Sequence, residues 1–118
     1  MRKVIFATIL LLSPFIFGFT LSWDPTTTYT DNTLIGPEAG GIFYNVEMDG
    51  SQVATKIAGT SWTIPAVPKK STHQFRGQTQ LGALDNTGQP IRSAWSPFYP
   101  WTAPAGNPNA PGQLRVAQ

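Results

Sequence analysis

The chain has 118 residues, no cysteine and a formal net charge of +2. That length fits one small domain, and a cysteine-free core has to hold without a covalent staple. The charge comes from Arg2 and Lys3, since six Lys/Arg balance six Asp/Glu from residue 4 onward; no basic stripe interleaves with aromatics, which excludes nucleic acid as a partner.

Met1-Arg2-Lys3 is a short positive start. Residues 4–19 are apolar except for Thr8, Ser13 and Gly18, with Pro14 as a helix breaker. A helix over this stretch would cover roughly 24 Å, against a bilayer core of roughly 30 Å. A positive start, a short apolar stretch and a late breaker describe a secretory signal peptide. No Ala-x-Ala site follows, so residues 1–18 are read as a signal peptide or an uncleaved membrane anchor. The expected location is secreted, periplasmic or cell-surface, with membrane contact only through this segment.

Phe19, Leu21 and Trp23 alternate with Thr20 and Ser22, the pattern of a strand with one buried side. Asp24-Pro25 ends it, and residues 26–41 read as a long polar loop. Ile42, Tyr44, Val46 and Met48 alternate in a second strand. Asp49-Gly50 then signals a hairpin, with residues 53–57 as the partner. Trp62 and Ile64 point one way in the next strand, closed by Pro65. His73, Phe75, Gly77, Thr79, Leu81 and Ala83 share one parity, which predicts one long strand or two joined at Gly77. Residues 85–88 are a turn. Residues 94–101 are expected to form a last aromatic strand, and residues 103–111 a Pro/Gly/Asn linker. Eleven glycines and eleven prolines punctuate these short segments. No stretch after residue 20 keeps helical period over three turns, so the class is all-β.

Five motifs in order, spanning residues 19–102, resemble a fibronectin type III domain. Leu21-Ser22-Trp23-Asp24-Pro25 resembles its second strand and residues 44–50 its third strand and turn. Residues 60–65 resemble the fifth strand, residues 81–88 the end of the sixth, and Ser93-Ala94-Trp95-Ser96 the start of the seventh. The resemblance implies an immunoglobulin-like β-sandwich preceded by the N-terminal hydrophobic segment. It implies a core of Leu21, Trp23, Tyr44, Val46, Trp62, Ile64, Leu81 and Ala83. Two departures stand out. The tyrosine that such domains carry at the start of the sixth strand is absent, with Gly77 or His73 in its place. The usual first strand is also missing, because only the apolar segment lies upstream of Leu21. Pro111-Gly112-Gln113-Leu114-Arg115-Val116 resembles that first strand. Leu114, Arg115 and Val116 are therefore a candidate assembly strand with three open readings: a frayed tail, closure of the chain's own sandwich, or exchange into a neighbour left with an open edge.

His73 is the single histidine, which leaves too few ligands for a His/Cys zinc site and makes any Ser-His-Asp triad depend on it. The carboxylates sit mostly in turns, where they cap their own backbone. No phosphate-cradling glycine loop opens a helix. The expectation is a non-catalytic protein without cofactor or metal. Candidate binding residues are Asp85, Asn86, Thr87 and Gln89 in one loop, and Trp95, Tyr99 and Trp101, which strand parity places on one face with Phe98 opposite. Three functions remain open: an adhesion or recognition module with a protein partner, a structural subunit of a virion or surface appendage assembling through the C-terminal strand, or a carbohydrate-binding accessory domain.

Overall fold

The computed structural model describes residues 15–106, together with Gly112 and Val116. Its strands, in order, are β1 (Phe15–Ile16), β2 (Thr20–Ser22), β3 (Ile42–Met48), β4 (Ser51–Ile57), β5 (Ser61–Thr63), β6 (Val67–Pro68), β7 (Thr72–Leu84), β8 (Pro90–Arg92) and β9 (Tyr99–Thr102). A 3-10 turn at Pro37–Ala39 is the one helical element among the described residues. The chain is all-β, with antiparallel sheets compatible with a β-sandwich. Leu114 and Arg115, from the candidate assembly strand, lie outside the described residues.

The large sheet grows from the β3–β4 hairpin. Asp49 and Gly50 connect the two strands, both with positive φ (54° and 85°), the backbone that matches the right-handed twist of flanking strands. β3 then pairs with β7 over seven consecutive positions, from Ile42↔Leu81 to Met48↔Phe75. This unbroken register puts Phe75, Gly77, Thr79 and Leu81 on one face of β7 and Gln74, Arg76, Gln78 and Gln80 on the other. Phe75 and Val46 are each 1% exposed, and burying two such side chains stabilises by roughly 1.5–3 kcal/mol each.

The opposite face of this sheet is polar. Asn45 is buried, and its amide nitrogen donates to the side-chain oxygens of Gln78 (3.0 Å) and Gln80 (3.1 Å). Its amide oxygen accepts the Lys56 N–H at 3.0 Å. Lys56 has a positive φ of 52°, at an irregular stretch of the β3–β4 register between Tyr44↔Ile57 and Val46↔Ala54. Asn45 therefore satisfies the amide that this irregularity would otherwise leave without a ladder partner.

The expected aromatic strand over residues 94–101 is two separate pieces. β8 pairs with the distal part of β7 and β9 with its start, at Phe75↔Tyr99 to Thr72↔Thr102. Between them, serine hydroxyls substitute for a ladder. The Thr79 N–H donates to Ser93 Oγ and the Gly77 N–H to Ser96 Oγ, while the Ser93 and Ser96 amides return to the Thr79 and Gly77 carbonyls. Pro97 and Pro100 lack the N–H that a regular strand would need.

Over the inner face lies the small sheet of β2 and β5, paired at Thr20↔Thr63, Leu21↔Trp62 and Ser22↔Ser61. Edge-on ring contacts join it to the large sheet: Trp23 to Tyr44 at 5.5 Å and Trp62 to Phe75 at 6.4 Å. Of the expected core, Tyr44, Val46, Ile64 and Leu81 are buried. Leu21, Trp23, Trp62 and Ala83 are half-buried; for Leu21 and Trp23 this follows from β2 pairing only with β5 among the described residues.

Residues 1–14 of the expected signal peptide or anchor lie outside the described residues, but the end of the apolar stretch is part of this fold. Phe15–Ile16 pairs with Val67–Pro68, and Ile16 is buried with Val67 and Ala103 beneath Phe19, Met48 and Trp101. The sequence offered no strand upstream of Phe19; the structure has this short one, pairing with the β5–β7 connection. Cleavage after Gly18 would remove Ile16 from that cluster.

Candidate functional site

β2 has one paired edge and one free edge. The Trp23 N–H donates to the Thr60 carbonyl, and the Phe19 carbonyl accepts the Ile64 N–H. Antiparallel pairing alternates hydrogen-bonded and non-bonded positions, so Phe19, Leu21 and Trp23 spend their backbone groups on β5. Thr20 and Ser22 direct theirs to the other side, where no strand pairs among the described residues.

Beside this free edge runs a half-open cleft of about 590 Å³. Phe19, Leu21 and Trp23 form one wall. Tyr44, Val46, Phe75, Gly77 and Thr79 form the floor, and Tyr99 and Trp101 close the far side. Gly77 deepens the floor because its neighbours on the same face carry side chains. A Cβ at Gly77 would meet nothing closer than the Asn45 carbonyl oxygen, at 3.7 Å, so the space above it is empty rather than filled by a neighbour. At one end Thr26 closes the cleft, its N–H donating to the Tyr44 hydroxyl and its hydroxyl bonded to Thr79. At the other end Phe19 packs against Trp101 with tilted rings, centroids 5.5 Å apart. The indole N–H of Trp23, one of the wall residues, is buried without a hydrogen-bond partner.

The structure divides the expected aromatic face. Tyr99 and Trp101 line the cleft, but Trp95 lies across the sheet with Phe98, both rings against the Arg76 guanidinium at 5.1 and 4.7 Å. Parity was counted through a regular strand, and the irregular backbone between β8 and β9 breaks that count. Arg76 also holds Glu47 through two bonds, of 2.8 and 3.2 Å, a fork-shaped pair. Trp101 is half-buried between Phe19, His73 and Phe75. Tyr99 remains 60% exposed.

The loop candidates lie elsewhere. Asp85 Oδ1 accepts the Thr87 N–H, the Thr87 hydroxyl and the Gln89 N–H. These bonds hold the Asp85 carboxyl below its usual range, the Thr87 hydroxyl contributing most, and they spend the carboxylate on the turn itself. Asn86 is exposed beside it. None of the four loop residues lines the cleft.

His73 stands between Ser71 and Asp49, with Nε2 2.7 Å from Ser71 Oγ and Nδ1 2.6 Å from Asp49 Oδ2. The order of contacts is that of a Ser-His-Asp triad, but the surroundings are those of a clamp. Ser71 Oγ donates to the Pro68 carbonyl, and the Ser71 and Lys70 amides are spent on the carbonyls of Pro68 and of Ala103 and Pro104. These amides therefore offer no donors for a developing oxyanion. Asp49 Oδ1 further accepts the Gln74 N–H, so the trio ties the β3–β4 turn to the start of β7. The His73 hydrogen bond is the main cause that holds the Asp49 carboxyl below its usual range. Among the described residues no cluster of three or more His, Cys, Asp or Glu could hold a metal ion.

Sequence reasoning missed the cleft itself. Its signal was the shared odd parity of residues 19–23 and 75–79, with glycine at the centre of the second set. Neither protein-family models nor curated proteins nor solved structures yield a match to this chain.

Proposed function

We propose that this chain is a non-catalytic binding module of the fibronectin type III kind, working outside the cytoplasm, and that its site is the cleft beside β2. The observation that carries this reading is an unpaired strand edge directly bordering an apolar cleft. An extended strand laid there would take backbone hydrogen bonds from Thr20 and Ser22. Its alternate side chains would drop toward Gly77 and Phe75, the recognition mode of β-strand addition. The fibronectin type III part is supported by the pairing. The segments resembling the second and fifth strands pair with each other, and those resembling the third and sixth share the other sheet, as in immunoglobulin-like sandwiches; Ser93-Ala94-Trp95-Ser96 runs beside β7 through the hydrogen bonds of Ser93 and Ser96 without forming a strand.

Residue-resolved amide exchange tests the site. With the candidate assembly strand removed by deletion of residues 111–118, a synthetic peptide of alternating valine and threonine is expected to slow exchange at Thr20 and Ser22 and to perturb tryptophan fluorescence. Gly77→Val, which fills the floor, should abolish both effects. Unchanged exchange at Thr20 and Ser22 with saturating peptide would overturn the reading.

A further inference from the structure

We infer that the strand received by the cleft is residues 111–116 of a second copy of this chain, so that copies join tail to cleft. The inference rests on the cleft reading above and names its occupant. In Gln113-Leu114-Arg115-Val116 the apolar residues share one parity and the polar residues the other. Such a strand suits a position with an apolar floor on one side and solvent on the other. Val116 is 90% exposed, so this side chain finds no burial within a single copy.

Chain direction favours a donor in trans. β9 runs from the level of Phe75 to that of Thr72. β2 runs the opposite way, from Phe19 beside Trp101 to Trp23 beside Tyr44. The chain thus leaves β9 at the end of the cleft where β2 begins, and Gly106 is still beside Lys69 there. Inserted directly into its own cleft, the tail would run parallel to β2, a pairing slightly less stable per residue. Antiparallel insertion in cis would require residues 107–113 to travel the length of the cleft and turn back, ordering more chain. A tail from another copy meets neither demand. Because donor and acceptor are different surfaces, the contact is heterologous and builds rings or open chains.

Two complementary variants test this by light scattering on purified chains. Deletion of residues 111–118 keeps the cleft and removes the tail; Gly77→Val keeps the tail and fills the cleft. The unaltered chain should associate with rising concentration. Each variant alone should stay at its own monomer mass, the full 12.8 kDa for the filled cleft and eight residues less for the deletion, in both cases less any N-terminal residues removed on export. Mixed together they should give a 1:1 heterodimer of their summed mass. A unaltered chain that stays monomeric at high concentration, with no heterodimer on mixing, overturns tail exchange. In that case protection of the Thr20 and Ser22 amides that vanishes on tail deletion would assign the tail to its own cleft. Retained binding of the valine-threonine peptide by the tail-deleted chain would leave the cleft reading standing without its proposed occupant, and loss of that binding as well would remove both.

Discussion

The pairing of β3 with β7 and the pairing of β2 with β5 use the same alternating pattern to opposite ends. β3 is flanked on both sides and holds seven consecutive register positions with β7. β2 holds three positions with β5 and none on its other edge. On the first pair, both faces are spent: Phe75 and Val46 below, Asn45 with Gln78 and Gln80 above. On the second, Leu21 and Trp23 are only half-buried. The difference shows that alternation specifies which side of a strand is apolar, while the count of neighbouring strands decides whether that side becomes closed core or stays open.

The largest effect should come from Phe75→Ala, which empties the dense half. A loss of about 3–5 kcal/mol is expected from chemical denaturation, whereas Leu21→Ala on the open half should cost about 1 kcal/mol. Equal losses would break the contrast. Next comes Gly82→Ala. A Cβ there would overlap the Gly40 carbonyl oxygen, where the 3-10 turn packs its buried Ala39 against β7. Overpacking of this kind costs roughly 1–3 kcal/mol, and a melting temperature equal to that of the unaltered chain would refute the close packing. Asn45→Leu should lose about 1–3 kcal/mol by leaving the Lys56 N–H and the Gln78 side-chain oxygen unpaired, while the Gln80 oxygen keeps its bond from Arg92, and amide exchange at Lys56 should accelerate.

The smallest effect is acid dependence. The Asp49 carboxyl is held low by His73 and by the Gln74 N–H, and Asp31, Glu38 and Asp85 are held low by hydrogen bonds within their turns. A carboxylate with a depressed folded pKa contributes stability above its unfolded value and loses it as pH falls through the folded value. Melting temperature should therefore fall below about pH 4. Asp49→Asn should flatten that fall only slightly, since its partly exposed pair is screened by solvent. An unchanged slope would dissociate the clamp from stability.

Local signals in the sequence were read correctly wherever they were self-contained. Asp49-Gly50 placed the hairpin because two adjacent residues tolerate positive φ. The odd parity from His73 to Ala83 predicted one long strand or two joined at Gly77, and the structure has the single strand β7; Asp85 placed its turn. Reading failed where a distant group altered the local rule. Ser93 and Ser96 took over the β7 amides and broke the aromatic strand, which separated Trp95 from Tyr99 and Trp101. Ile16 sat inside an apolar run that pattern alone assigns to export. Only Val67 and Ala103, distant in sequence, make it part of a core.

The sequence by itself determined an all-β chain, its main turns, and the apolar side of β2, β3 and β7, because those follow from steric limits on φ and a two-residue period. The tertiary structure alone decided that Gly77 lies on the floor of a cleft, that His73 is clamped between Ser71 and Asp49, and that β2 keeps an open edge. Each of these depends on which strands become neighbours, and that choice is made by contacts between residues far apart in the chain.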